Sequence, residues 1–102
     1  MPIYETSYEA EQDLQGIIDY TLEMHGIDQM NKYINALDQC AENMAQSIGQ
    51  FKEVDVLGDS VRVKLCQHHY IFGLMRNSQP FLILAILHER MDLMNQLKNR
   101  LS

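Results

Sequence analysis

Asp28-Gln29-Met30-Asn31-Lys32-Tyr33-Ile34-Asn35-Ala36-Leu37-Asp38-Gln39-Cys40-Ala41-Glu42-Asn43-Met44-Ala45-Gln46-Ser47-Ile48-Gly49 is the stretch whose reading decides the fold. Counted from Met30, its apolar residues Tyr33, Ile34, Leu37, Ala41, Met44, Ala45 and Ile48 fall at offsets of 3, 4, 7, 11, 14, 15 and 18. Those offsets place them on one helical face, so a helix is expected from near Asp28 to Gly49. Upstream, Ala10, Leu14, Ile17, Ile18, Thr21 and Met24 repeat the same spacing, and Glu9, Glu11 and Asp13 crowd the first turn. Thr6 with Glu9 has capping-box spacing, and Ser7 is a second N-cap choice. Gly26 stands where a left-handed residue would end this first helix. So few residues separate the two stripes that the helices must fold back as an αα-hairpin.

Outside the hairpin the period changes. Ile3 to Thr6 reads as a short strand, and Gly49 to Ser60 as a loop holding a short extended piece at Val54–Leu57. Val61-Arg62-Val63-Lys64-Leu65 alternates apolar and basic, as a half-buried strand does. His69 to Met75 is a further strand, and Arg76-Asn77-Ser78-Gln79-Pro80 carries turn chemistry. Phe81 to Leu87 is a continuous apolar run that suits a central strand. Leu93, Met94, Leu97 and Leu101 then mark a last helix with Asp92 as its N-cap. The order β-α-α-β-β-β-α predicts an α+β fold, a helical hairpin on a small antiparallel sheet with a C-terminal helix.

A length of 102 residues predicts one domain, residues 1–102, with a hydrophobic share of 46% and a charged share of 22% that suit a globular protein. No apolar run approaches the roughly 20 residues of a membrane span. Met1-Pro2-Ile3-Tyr4-Glu5 lacks the basic and apolar regions of a secretory leader, so a cytoplasmic location is expected. Cys40 on a helical stripe and Cys66 in a strand are expected as buried free thiols. The net charge of −6 is uneven: residues 1–60 hold 12 acidic and 2 basic side chains, residues 61–102 hold 2 acidic and 6 basic. The split fits two faces for two partners, or equally a solvated acidic helical layer beside an ordinary sheet. An acidic chain is a poor general ligand for nucleic acid.

The chemistry-bearing residues form no enzyme signature. There is no glycine-rich phosphate loop, no GxSxG elbow and no HExxH. Glu9 and Asp13 read as solvated carboxylates on the acidic face. His25 suits a helix C-terminus. His68 and His69 are adjacent, so on a strand they would point to opposite faces and not line one site. His88 follows the apolar run, and with Arg62 and Lys64 as cations it could serve a ribonuclease-like acid–base role. No metal or cofactor is expected.

A family resemblance rests on several of these stretches together. Asp13-Leu14-Gln15-Gly16-Ile17-Ile18-Asp19-Tyr20-Thr21 and Gly26-Ile27-Asp28-Gln29-Met30-Asn31-Lys32-Tyr33-Ile34 resemble the helical hairpin of ParE toxins. Val61-Arg62 and Cys66-Gln67-His68-His69-Tyr70-Ile71-Phe72 resemble that family's arginine-bearing strand and the strand after it. Ala85-Ile86-Leu87-His88-Glu89-Arg90-Met91-Asp92-Leu93-Met94 resembles the end of its last strand and the start of its last helix, most closely in ParE of plasmid stabilisation systems. The resemblance spans nearly the whole chain.

It implies a RelE/ParE-superfamily fold and the toxin role in a type II toxin–antitoxin system. The implied partners are a ParD-type antitoxin, in a hetero-oligomer, and DNA gyrase as the poisoned target. RelE-like relatives instead cut mRNA on the ribosome with a basic cluster. Here the loop before Val61 offers Lys52 followed by Glu53, Asp55 and Asp59, where an RNA backbone would meet like charges. Arg62 and His88 alone match that alternative ribonuclease reading. A toxin that has lost activity but still binds antitoxin is a third reading. With the basic C-terminal half in view, Arg62, His88, Arg90, Lys98 and Arg100 are the expected target-binding residues. Tyr20, Met24 and Tyr33 are expected under the antitoxin, with packing inside the hairpin as the plain alternative.

Overall fold

A computed structural model describes residues 3–102; Met1 and Pro2, which belong to the stretch read above as lacking a leader, lie outside them. The chain runs β1 (Tyr4–Thr6), α1 (Tyr8–His25), α2 (Ile27–Ala45), β2 (Lys52–Val56), β3 (Asp59–Cys66), β4 (His69–Arg76), β5 (Gln79–His88) and α3 (Leu93–Leu101). One five-stranded sheet has the order β1-β5-β4-β3-β2. The α+β reading holds, with two refinements. The extended piece expected inside the loop is a full edge strand, β2, paired antiparallel to β3. The sheet is mixed, because β1 runs parallel to β5 through Tyr4–Phe81, Glu5–Leu82 and Thr6–Ile83.

Strand alternation sends side chains into two cores, one on each side of the sheet. On one side Ile71, Phe81, Ile83 and Ile86 meet Ala10 and Ile17 of α1 and Leu37, Ala41 and Met44 of α2. On the other, Val61, Phe72, Ala85 and Leu87 meet Leu97 of α3. Strand β5 is covered on both faces, which is why Phe81 to Leu87 is apolar without interruption. Gly73 is required by that packing: a Cβ there would stand 2.0 Å from Cζ of Phe81, whose ring lies over the glycine.

Local chemistry fixes the helix ends. Ser7 is the cap of α1: its Oγ accepts from the Ala10 backbone N–H at 3.1 Å, and its own N–H donates to the Ile83 carbonyl at 3.0 Å. Gly26, at φ 86°, closes α1 and opens α2 at once, a backbone angle that L side chains rarely adopt. Residues 22–29 are all exposed, so the tip of the hairpin projects free of the sheet.

The end of α2 comes one turn before Gly49. Ser47 is left-handed at φ 58°, the Ser47 N–H donates to Met44 O at 3.4 Å, and the Ile48 N–H donates to Asn43 O at 2.8 Å. This is a Schellman closure, and it leaves Ile48 outside the helix and exposed.

The cysteines are a correction. Cys40 and Cys66, expected as free thiols, are joined in a disulfide with a Cα–Cα distance of 6.5 Å, tying α2 to the end of β3. No helix among the described residues is long and apolar enough to cross a membrane.

Candidate functional site

A groove of about 840 Å³ opens between the helical hairpin and one end of the sheet. Ile17, Ile86 and Leu87 give it an apolar floor, and Tyr20, Tyr33 and Met91 are among its walls. All four histidines, His25, His68, His69 and His88, line it. That corrects the expectation that His68 and His69 cannot share a site. Strand alternation does not apply to them, because β3 ends at Cys66 and β4 begins at His69. His68 therefore lies in the hairpin turn, behind a left-handed Gln67 at φ 60°.

A chain of contacts crosses the groove from α2 to β5. The Tyr33 hydroxyl accepts the His68 backbone N–H at 3.1 Å and lies 2.6 Å from Nδ1 of His69. The hydroxyl and that nitrogen share one hydrogen bond, whose direction is set by the imidazole tautomer. The His69 ring in turn meets the His88 ring edge-on, 5.2 Å between centroids. His69 and His88 are cross-strand partners at the end of the β4–β5 ladder. Burial first, then the neighbouring His88 and His68, holds the His69 pKa down at about 4, so this imidazole is neutral at pH 7. Burial also raises the Tyr33 pKa. Nδ1 of His88 accepts the Arg90 backbone N–H at 3.1 Å, which fixes the turn leaving β5.

The expected target-binding cations divide sharply. Arg62 faces α2, where its Nη1 donates to Met44 O at 2.7 Å and Ser47 Oγ at 2.9 Å. Its guanidinium lies 4.4 Å over the Phe51 ring, and Nε is 3.7 Å from Glu53. It acts as a clamp on the C-terminus of α2, where a cation is favoured. Arg100 is engaged as deeply. Both its terminal nitrogens donate to the Asp13 carboxylate, Nη1 also donates to Leu84 O at 3.3 Å, and Nε is 3.4 Å from Glu9.

Asp13, read from the sequence as solvated, is 14% exposed and also accepts the Ile86 backbone N–H at 2.9 Å. The reason lies in the sheet. Strand β1 pairs only as far as Ile83, so the rest of that β5 edge needs side-chain partners. Of the five expected cationic or imidazole contacts, Arg90 and Lys98 are exposed and His88 is half-buried in the groove.

The ribonuclease pair is not assembled. Arg62 is the cross-strand partner of Gly73, and His88 that of His69. Those partners are four residues apart on β4, roughly 13 Å along the strand. Among the described residues no group of three or more His, Cys, Asp or Glu side chains is arranged to hold a metal ion.

The expected antitoxin contacts fare differently. Tyr20 and Tyr33 line the groove, and Met24 is exposed near the hairpin tip. Sequence reasoning missed the groove itself, the Tyr33–His69–His88 chain and the Asp13–Arg100 pair. Residues 13 and 100 carry no local signal of their meeting, because nothing in sequence joins the two ends of a chain.

A helical hairpin and a C-terminal helix on opposite faces of a five-stranded mixed sheet define a class of small α+β proteins. The comparisons place the chain within it. Residues 4–93 match the family model described as ParE toxin of type II toxin-antitoxin system, parDE, and the chain belongs to that family. It is 46% identical over 101 residues to Toxin ParE of Escherichia coli, covering 99% of this chain and 98% of that protein. A solved chain described as the chromosomal ParDE TA system from P. aeruginosa shares the fold, with a TM-score of 0.68 at 18% identity over 86% of this chain and 96% of that one.

Proposed function

We propose that the protein poisons DNA gyrase by binding it, and that a ParD-type antitoxin neutralises it by covering the groove and the hairpin tip. Membership of the ParE family supports the toxin role. The observation that carries the binding mode is the surface beside β5. Arg90, Met91, Met94 and Lys98 are all exposed on the turn and on the first two turns of α3, while Arg62 and Arg100 are held inside the fold. Two cations interleaved with two flexible thioethers suit an adaptable protein contact. The separation of Arg62 from His88 gives no support to mRNA cleavage.

The test is a supercoiling and cleavage assay with purified protein, gyrase, ATP and plasmid. Lost supercoiling or accumulating broken DNA, reversed by antitoxin, is the expected result. No effect from folded protein would refute gyrase poisoning, and a ribosome-dependent cleavage assay would then separate an interferase from an inert toxin.

A further inference from the structure

The hairpin carries its charge in an unusual balance. Helices α1 and α2 hold eight carboxylates and one lysine, Lys32. Glu9 and Asp13 are matched by Arg100, and Asp38 accepts the Tyr4 hydroxyl. Glu11, Asp19, Glu23, Asp28 and Glu42 form no ion pair among the described residues. Three of these acids alternate with bare apolar side chains. Asp19, Glu23 and Asp28 are sequence neighbours of Tyr20, Met24 and Ile27, which are 62%, 59% and 60% exposed. The apolar groove lies directly beneath this rim, with Tyr20 common to both. Three of the chain's four arginines do not answer these acids, because Arg62, Arg76 and Arg100 donate to carbonyls and carboxylates elsewhere in the fold.

We infer that the antitoxin segment seated on this groove and hairpin tip is a cationic amphipathic helix. Its apolar residues, at i, i+3 or i+4 and i+7 spacing, enter the groove, and its lysines or arginines flank them to meet Asp19, Glu23 and Asp28. The inference rests on the toxin–antitoxin reading above and adds the sign of the partner's charge. An acidic helix would bring like charges within a Debye length, about 10 Å at 0.1 M salt, and would be repelled. The same repulsion works against a second copy of this chain on this face. Rim charges act mainly on encounter rate and salt dependence, while the groove supplies the apolar contact.

Two helical peptides of one apolar face, one flanked by lysines and one by glutamates, test the inference by fluorescence anisotropy at 50 and 300 mM NaCl. The lysine-flanked peptide is expected to bind at least tenfold tighter at low salt and to weaken severalfold at high salt. In the Asp19→Lys, Glu23→Lys variant, whose exposed positions leave the fold intact by circular dichroism, the preference reverses. Equal binding of the two peptides, no binding of either, or an unchanged preference in the variant would each overturn the inference. The gyrase assay with the protein alone needs no antitoxin, so the toxin reading stands or falls separately.

Discussion

The two ends of the helix–sheet interface are built on opposite plans. At one end Arg62 locks the last turn of α2 onto β3; Arg100 ties α3 to α1 through Asp13, a residue of the groove wall. Arg100 donates through both terminal nitrogens, whereas Arg62 donates through Nη1 alone and its buried Nε has no hydrogen-bond partner. At the other end the hairpin overhangs the strands, residues 22–29 are exposed, and four histidines line an open groove. Between them Cys40–Cys66 fastens α2 to the β3–β4 hairpin, and Tyr33–His69 does so within the groove; seven residues apart on α2, Tyr33 and Cys40 share one helical face. A charged residue can hold a fold or greet a partner, and its hydrogen bonds tell which. Here Arg62 and Arg100, both expected at the target, donate within the fold, and the exposed surfaces are acidic, apolar or lightly basic.

The largest effect is expected at Arg100. Removing it leaves Asp13 and Glu9 unpaired beneath α3, and the Arg100→Met variant is expected to lose about 3 kcal/mol of stability in urea unfolding. A loss near zero would mean the pair is incidental to the fold. Opening the disulfide comes next. Its loop of 26 residues in sequence separation corresponds to roughly 3 kcal/mol in the chain-entropy account. A dithiol reductant should therefore lower the melting temperature clearly, and a Cys40→Ala variant should melt at that same lower temperature whether reduced or not. Arg62 should follow. Arg62→Ala exposes the end of α2 and removes the shorter of the two hydrogen bonds to Met44 O, costing about 2 kcal/mol. If the closed end is purely structural, the gyrase activity of Arg62→Ala per folded molecule is unchanged.

How much of this was legible depends on range. The αα-hairpin was readable because helical periodicity is local, and Gly26 and Ser7 are local signals too. The end of α2 was misplaced by a turn because Ile48 continues the apolar spacing, although Ser47 has already reversed the backbone. Strand β2 hid behind Lys52, Glu53 and Asp55, exposed charged side chains that an edge strand tolerates. The groove could not be read, since it is made by α1, α2, the β3–β4 turn and β5 meeting in space. The chemical pairings failed for the same reason. Asp13 with Arg100 and Cys40 with Cys66 are facts of topology, and composition assigns each residue only a default role.

The smallest effect belongs to the open end and concerns pH. His69 in the folded protein has its pKa lowered to about 4, against an ordinary value near 6.5. Between those values the unfolded chain takes up a proton that folded His69 refuses, so stability rises with pH across this window and is lost as pH falls from about 6.5 to about 4. His68 and His88 push in the same direction, while Asp13 and Glu89 oppose them. The ring is only partly buried, so the effect is modest. The comparison must be with a variant that keeps the Tyr33 hydrogen bond. A His69→Gln protein retains an acceptor for that hydroxyl but cannot charge. Its melting temperature should fall less steeply than the parent's between pH 6.5 and 4, while the Arg62→Ala protein keeps the parent's slope. Equal slopes for His69→Gln and the parent would show that the Tyr33–His69–His88 chain is no more sensitive to protons than the clamped end.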